Sequence, residues 1–141
     1  MSFDPTRLPP AALPFLTERH LATLTTLRAD GTAHVVPVGF TWDDDQRLAR
    51  VITSGGSVKA RNADRPGARA TLCQLSGRYW LTLAGSVRVL TDPESVQDAE
   101  RRYTVRYRPP RVNPLRVVLE IAVDQVLGSL PEDPPGPPQR S

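Results

Sequence analysis

The chain is poor in the residues that most often carry chemistry on their own. Its 141 residues include one cysteine, two histidines and one lysine. A single cysteine excludes an intramolecular disulfide. Absence of an oxidised staple fits a reducing cytoplasm. Cys73 falls in the apolar run Ala70-Thr71-Leu72-Cys73 and reads as a small core residue. His20 and His34 are too few to build a Ser/His/Asp arrangement or a Cys/His cluster with metal-ligand spacing. Neither a Walker loop nor a G-x-G-x-x-G fingerprint is present. No apolar run approaches the ~20 residues that span a bilayer, and the first residues lack a charged-then-apolar signal region. The expectation is a soluble cytoplasmic protein without a membrane partner. A net charge of +3 is too small an excess to argue for nucleic acid, and the aromatics do not interleave with the arginines. An enzyme with this inventory relies on a cofactor for its reaction and supplies position and electrostatics itself.

The length fits one domain with a real core. Residues 1–10 carry three prolines and read as a flexible N-terminus, 11–128 as the domain, and 129–141 as a disordered proline-rich tail. Alternation predicts six strands: His20–Arg28, Thr32–Thr41, Leu48–Thr53, Ala68–Leu75, Arg78–Leu90 and Leu115–Leu127. Asp30-Gly31 signals a two-residue hairpin. Pro37 and Gly39 interrupt the second strand, as a bulge, an edge or a place of close backbone approach. Gly85 reads as a bend in the fifth. Asp43-Asp44-Asp45 reads as a solvated hairpin tip. Short helices are expected over Ala11–Arg19 and from Asp92 to about Tyr107, the latter opening with Pro93 in its first turn. Six antiparallel strands with helices only at connections indicate a small, mainly β barrel.

One stretch stands out, running from Arg50, Val51, Ile52 and Thr53 through Ser54, Gly55 and Gly56 to Ser57, Lys59 and Asn62. It reads as a strand end, a glycine turn that lets the backbone adopt unusual conformations and approach a ligand, and a helix capped by Ser57. Backbone N–H groups at a helix start, with Lys59 and Arg61 beside them, form an anion site. The same residues also read as a strand, turn and capped helix without a ligand. Lys59 is the one lysine against seventeen arginines, and its compact charge suits a single phosphate oxygen. Six arginines crowd 101–116. They form either a solvated helix face or a local anion contact, and Tyr103 and Tyr107 beside them read as core.

Three segments taken together carry a resemblance. They are His20-Leu-Ala-Thr-Leu-Thr-Thr-Leu-Arg-Ala-Asp-Gly, His34-Val-Val-Pro-Val-Gly-Phe and Arg50-Val-Ile-Thr-Ser-Gly-Gly-Ser-x-Lys-x-x-Asn. With Arg78-Tyr-Trp-Leu-Thr-Leu-x-Gly, Arg102-Tyr-x-x-Arg-Tyr-Arg-x-Pro-Arg and Arg116-Val-Val-Leu-Glu, the chain resembles the pyridoxamine 5'-phosphate oxidase-like split β-barrels over residues 12–128. Within them it is most similar to the actinobacterial deazaflavin-dependent oxidoreductases, in particular the biliverdin reductases that use coenzyme F420. The resemblance implies a six-stranded split β-barrel that forms a homodimer with two cofactor sites at the subunit interface. It implies that Arg50, Val51, Ile52 and Thr53 meet the deazaflavin edge through their backbone. The turn Ser54, Gly55 and Gly56, with Ser57 and Lys59, would hold the phosphate, with Asn62 nearby. His34, Val36 and Pro37 would line the ring, and Trp80, with Tyr79 beside it, would come across the dimer. The arginines would meet an acidic cofactor tail or the propionates of a tetrapyrrole. The implied reaction is hydride transfer from reduced coenzyme F420 to a conjugated acceptor. FMN is the alternative cofactor, and a non-catalytic deazaflavin or tetrapyrrole binder is the alternative function.

Overall fold

The computed structural model describes residues 1–132. The elements run β1 (Ser2–Phe3), α1 (Ala12–Thr17), β2 (Ala22–Leu27), β3 (Ala33–Val38), β4 (Thr41–Asp43) and β5 (Leu48–Ser54). They continue with α2 (Val58–Ala63), β6 (Arg69–Ser76), β7 (Tyr79–Leu90), α3 (Pro93–Arg106) and β8 (Arg116–Ser129). All pairings are antiparallel, and the order across the sheet is β3-β2-β6-β7-β8-β5-β4, with β1 on β8. No helix among the described residues is long and apolar enough to cross a membrane.

Among the described residues the strands number eight rather than six. Ser2 and Phe3 pair with Leu127 and Val126, so the start of the chain is tied to the sheet instead of loose. The expected strand Thr32–Thr41 is split into β3 and β4. The last strand ends at Ser129, and Leu130 packs on the core beyond it. Most of the expected tail, 133–141, lies outside the described residues. The hairpin joining β2 to β3 is also longer than two residues. Arg28 donates to the Thr32 carbonyl, Gly31 sits at φ +86°, and Asp30 accepts from both the amide and the hydroxyl of Thr32. A turn that ends on a left-handed glycine is the common three-residue solution.

The break in the second strand explains the architecture. β3 and β4 are the two outermost strands of the sheet, yet only Gly39 and Phe40 separate them in the chain. Two residues span at most about 7 Å when extended. The sheet therefore curls until its two edges meet at this point, and the right-handed twist of long strands supplies the curl. β7 and β8 take a register shift at Ala84/Gly85, where any Cβ on Gly85 would overlap the Ala122 carbonyl. The edges do not pair with each other, so the barrel stays split and Phe40, fully buried, has no ladder partner for its N–H or C=O.

Buried backbone groups need partners, and the end of α3 provides them. Tyr107 Oη accepts from the Phe40 amide at 3.1 Å and donates to the His20 carbonyl at 2.6 Å. Arg106 donates to the carbonyls of Phe40 and Glu18 and to the side-chain carbonyl of Gln74. Its guanidinium lies 4.6 Å from the Phe40 ring centroid. Burial depresses the Arg106 pKa, and burial likewise raises that of the Tyr107 phenol. Leu24, Leu72, Leu81, Leu83, Leu119 and Ile121 fill the interior.

Asp43 is not a solvated tip. It is 6% exposed, accepts from the amides of Asp45 and Gln46, and pairs with Arg50 at 3.1 Å. Burial alone would raise its pKa. The hydrogen bonds from Gln46 and Arg50 and the nearby charge of Arg102 outweigh that and lower it. Cys73 is not core either. It is half-buried and paired with Thr23 and Thr82 on the outward face of the sheet.

Candidate functional site

The seam of the split barrel opens into a cavity of about 760 Å³, within the ~300–1,000 Å³ usual for small-molecule sites. Its floor is the end of β3 and the residue after it (Pro37, Val38, Gly39) and the end of β5 (Ile52, Thr53, Ser54). One side is Lys59 of α2. The other is Tyr103 of α3 with the loop Arg108, Pro109, Pro110, Arg111 and Asn113, and Arg116 at the start of β8. Among the described residues, four cations line the cavity and no carboxylate does.

Local sequence fixes each wall. Ser57 takes the extended N-cap conformation and its Oγ accepts from the Ala60 amide at 3.2 Å. Thr53 Oγ1 also donates to Ser57 Oγ at 3.1 Å, so the proton of Ser57 is free to point outward. Asn113 Nδ2 donates to Ser54 Oγ at 2.8 Å and the Gly55 amide donates to the Leu115 carbonyl, which ties the turn to the arginine loop. Arg116 is the post that holds this loop: its guanidinium donates to Glu100 Oε2 and to the Arg111 carbonyl, both at 2.6 Å. Lys59, Arg108 and Arg111 make no ion pair among the described residues. Their charges are available to a ligand, whereas that of Arg116 is largely neutralised.

Of the residues singled out in sequence, Pro37, Ile52, Thr53, Ser54 and Lys59 meet at the cavity, with Ser57 behind Thr53. Others do not. Val51 is core at 1% exposure, and Arg50, on the opposite face of β5, is buried against Asp43. Asn62 is buried, donates to Thr26 Oγ1 and accepts from Arg65, so its amide packs α2 on β2 instead of facing a phosphate. Gly55 and Gly56 form the turn with ordinary backbone, not left-handed φ, and a Cβ on Gly56 would meet open space. His34 and Val36 point to the interior face, opposite Thr26 and Leu24. The buried Nδ1 of His34 has no hydrogen-bond partner among the described residues. Gly39 is a place of close approach, but what approaches are the rings of Tyr103 and Tyr107, 3.0 and 3.1 Å from where a Cβ would stand. Tyr79 and Trp80 sit at the far end of β7, opposite Ser129, whereas the cavity flanks Arg116. Roughly 40 Å of strand separates the two ends of β8.

Sequence reasoning did not separate the arginines. Arg106 and Arg116 are structural, Arg101 and Arg102 pair with Asp98, and only Arg108 and Arg111 offer unpaired charge to the cavity. Tyr103 is a wall of the cavity as well as a packing residue. Its i,i+4 spacing to Tyr107 on a helix ending at Arg108-Pro109-Pro110 was the available signal.

Comparison with known proteins agrees with this geometry. The chain is 59% identical over 124 residues to a protein of Mycobacterium tuberculosis (strain CDC 1551 / Oshkosh) named F420H(2)-dependent biliverdin reductase. The match covers 88% of this chain and 90% of that protein. The fold superposes on a conserved hypothetical protein of Mycobacterium tuberculosis with a TM-score of 0.73 at 19% identity, covering 93% of this chain and 94% of the other. It superposes on a structure described as an F420 reductase with a TM-score of 0.64 at 22% identity, covering 86% and 98%. The family model described as pyridoxamine 5'-phosphate oxidase matches residues 8–129, and the chain belongs to that family.

Proposed function

We propose that this protein is an oxidoreductase that uses reduced coenzyme F420 to reduce a conjugated acceptor, biliverdin or a similar open-chain tetrapyrrole. The observation that carries the reading is the cavity itself: among the described residues, four cations and no carboxylate line it, with the ends of β3 and β5 as its floor. A cofactor that joins a flat ring to a phosphate and carboxylates fits those walls. Thr53, Ser54 and Lys59 would hold the phosphate, Arg108 and Arg111 the carboxylates, and Pro37 and Ile52 would flank the ring. When bound, the reduced deazaflavin supplies a hydride. The chain's part is to hold ring and acceptor face to face, which replaces a bimolecular encounter by a positioned one. Pro37, Ile52 and Tyr103 exclude water from one side.

The protein acts as a cytoplasmic homodimer. On the outward face, Val35 and Pro37 of β3 lie beside Thr23 and Thr25 of β2, then Thr71 and Cys73 of β6, then Thr82 and Ala84 of β7. Leu27 and Leu75, both more than half exposed, extend this patch, and Trp80 lies beside Leu75 on it. Among the described residues its middle carries no charge, and Arg69 at the rim is paired with Asp124. With Leu27, Val35 and Leu75 exposed on it, this face fits a contact surface. Pro37 belongs both to this face and to the cavity, so a partner seated there reaches the cavity rim. Its Trp80 would close the cavity from that side.

The test is incubation of the protein with reduced coenzyme F420 and biliverdin, following deazaflavin reoxidation by absorbance. Protein-dependent reoxidation with loss of biliverdin is expected. Reoxidation no faster than without protein would remove the biliverdin assignment.

A further inference from the structure

We propose that a second, smaller cavity beside the first is a subsite for a carboxylate arm of the acceptor, with Arg19 as its specificity-determining residue. The inference rests on the function proposed above and names a feature of its substrate. The smaller cavity, about 360 Å³, is lined by Arg19, His20, Leu21, Tyr103, Tyr107 and Arg108. It shares Tyr103 and Arg108 with the larger one. The rings of Tyr103 and Tyr107, 4.8 Å apart, rest on Gly39 and form the partition between the two. A molecule whose conjugated system lies in the larger cavity can therefore pass a side arm over Tyr103 into the smaller one.

The polar groups there decide what the arm is. The Tyr107 hydroxyl is committed to the Phe40 amide and the His20 carbonyl. His20 Nε2 lies 3.2 Å from Glu18 Oε2, and its ring stacks on Phe15. That leaves Arg19 and Arg108, neither of which has an ion-pair partner among the described residues. Two unpaired guanidiniums beside an apolar Leu21 fit a carboxylate on a short alkyl arm, which a planar fork binds through two parallel hydrogen bonds. Arg108 serves both cavities, so Arg19 is the residue that reports on the smaller one alone.

Biliverdin and its dimethyl ester share a conjugated system and differ in the charge of their arms. Binding of each to the cofactor-free chain is read from the change in its visible absorption, and KM from turnover with reduced coenzyme F420. The native chain is expected to favour the acid over the ester by about tenfold. Arg19→Gln should cut that preference by about threefold, Arg108 keeping the rest, and Arg19→Lys should retain more of it, with the affinity for coenzyme F420 unchanged in both. An acid-to-ester ratio that is the same in native chain and Arg19→Gln overturns the subsite. Failure of the native chain to bind coenzyme F420 would overturn the proposed function instead, and the binding comparison on the free chain still decides the subsite.

Discussion

Replacing Lys59 with alanine isolates the charge on which the anion site depends. Lys59 is half-buried on the first turn of α2, faces the cavity and makes no ion pair or side-chain hydrogen bond among the described residues. Its removal therefore breaks no ion pair or side-chain hydrogen bond among the described residues. The six-residue α2 contributes only a weak dipole of its own, so the lysine ammonium is the main positive group on that wall. A hydrogen bond between a charged donor and phosphate is worth about 1.5–3 kcal/mol. With about 1.4 kcal/mol per factor of ten, this is a loss of roughly 12- to 140-fold in affinity for coenzyme F420. Deazaflavin fluorescence, titrated against native chain and Lys59→Ala at low salt, measures it directly. Added salt should weaken the native chain more than the variant, because screening removes what the mutation has already removed. Affinity within twofold of the native value, with the thermal midpoint unchanged, would refute the assignment of Lys59 to the phosphate.

Three other perturbations test separate parts of the account. Asp43→Asn breaks the buried pair with Arg50 and should lower unfolding free energy in urea by about 3–5 kcal/mol. The native carboxylate's lowered pKa contributes stability that is present above the ordinary value near 3.8 and lost as pH falls through the lowered one, so the difference from Asp43→Asn should shrink on acidification. Asn62→Ala strands the Thr26 hydroxyl and should destabilise by about 1–3 kcal/mol, while folded protein keeps its affinity for coenzyme F420 in the same titration. Thr25→Glu places a charge in the middle of the outward face and should convert the proposed dimer to monomer in sedimentation velocity; an unchanged dimer mass would place the interface elsewhere, and a monomeric native chain would remove the dimer.

The strands were legible because their alternation has period two and one side is buried. The Ser57 cap and the Gly85 bend followed from residue chemistry alone. The strand break at Gly39-Phe40 was visible as Pro37 and Gly39, but its meaning was not. It depends on two sheet edges meeting, which no local window contains. The arginines were the hardest to read, since Arg106, Arg116 and Arg50 differ from Arg108 and Arg111 only in what the fold places beside them. Asn62 shows the same limit. Its position one helical turn after Lys59 suggests the same face, yet it is the residue that anchors α2 to Thr26.

The central claim is that the seam cavity holds a phosphorylated deazaflavin. Calorimetric titration of the purified native chain with coenzyme F420 and, separately, with FMN tests it most directly. One coenzyme F420 per chain, bound more tightly than FMN, is the expected result. Tighter binding of FMN, or no heat with coenzyme F420, would contradict the account.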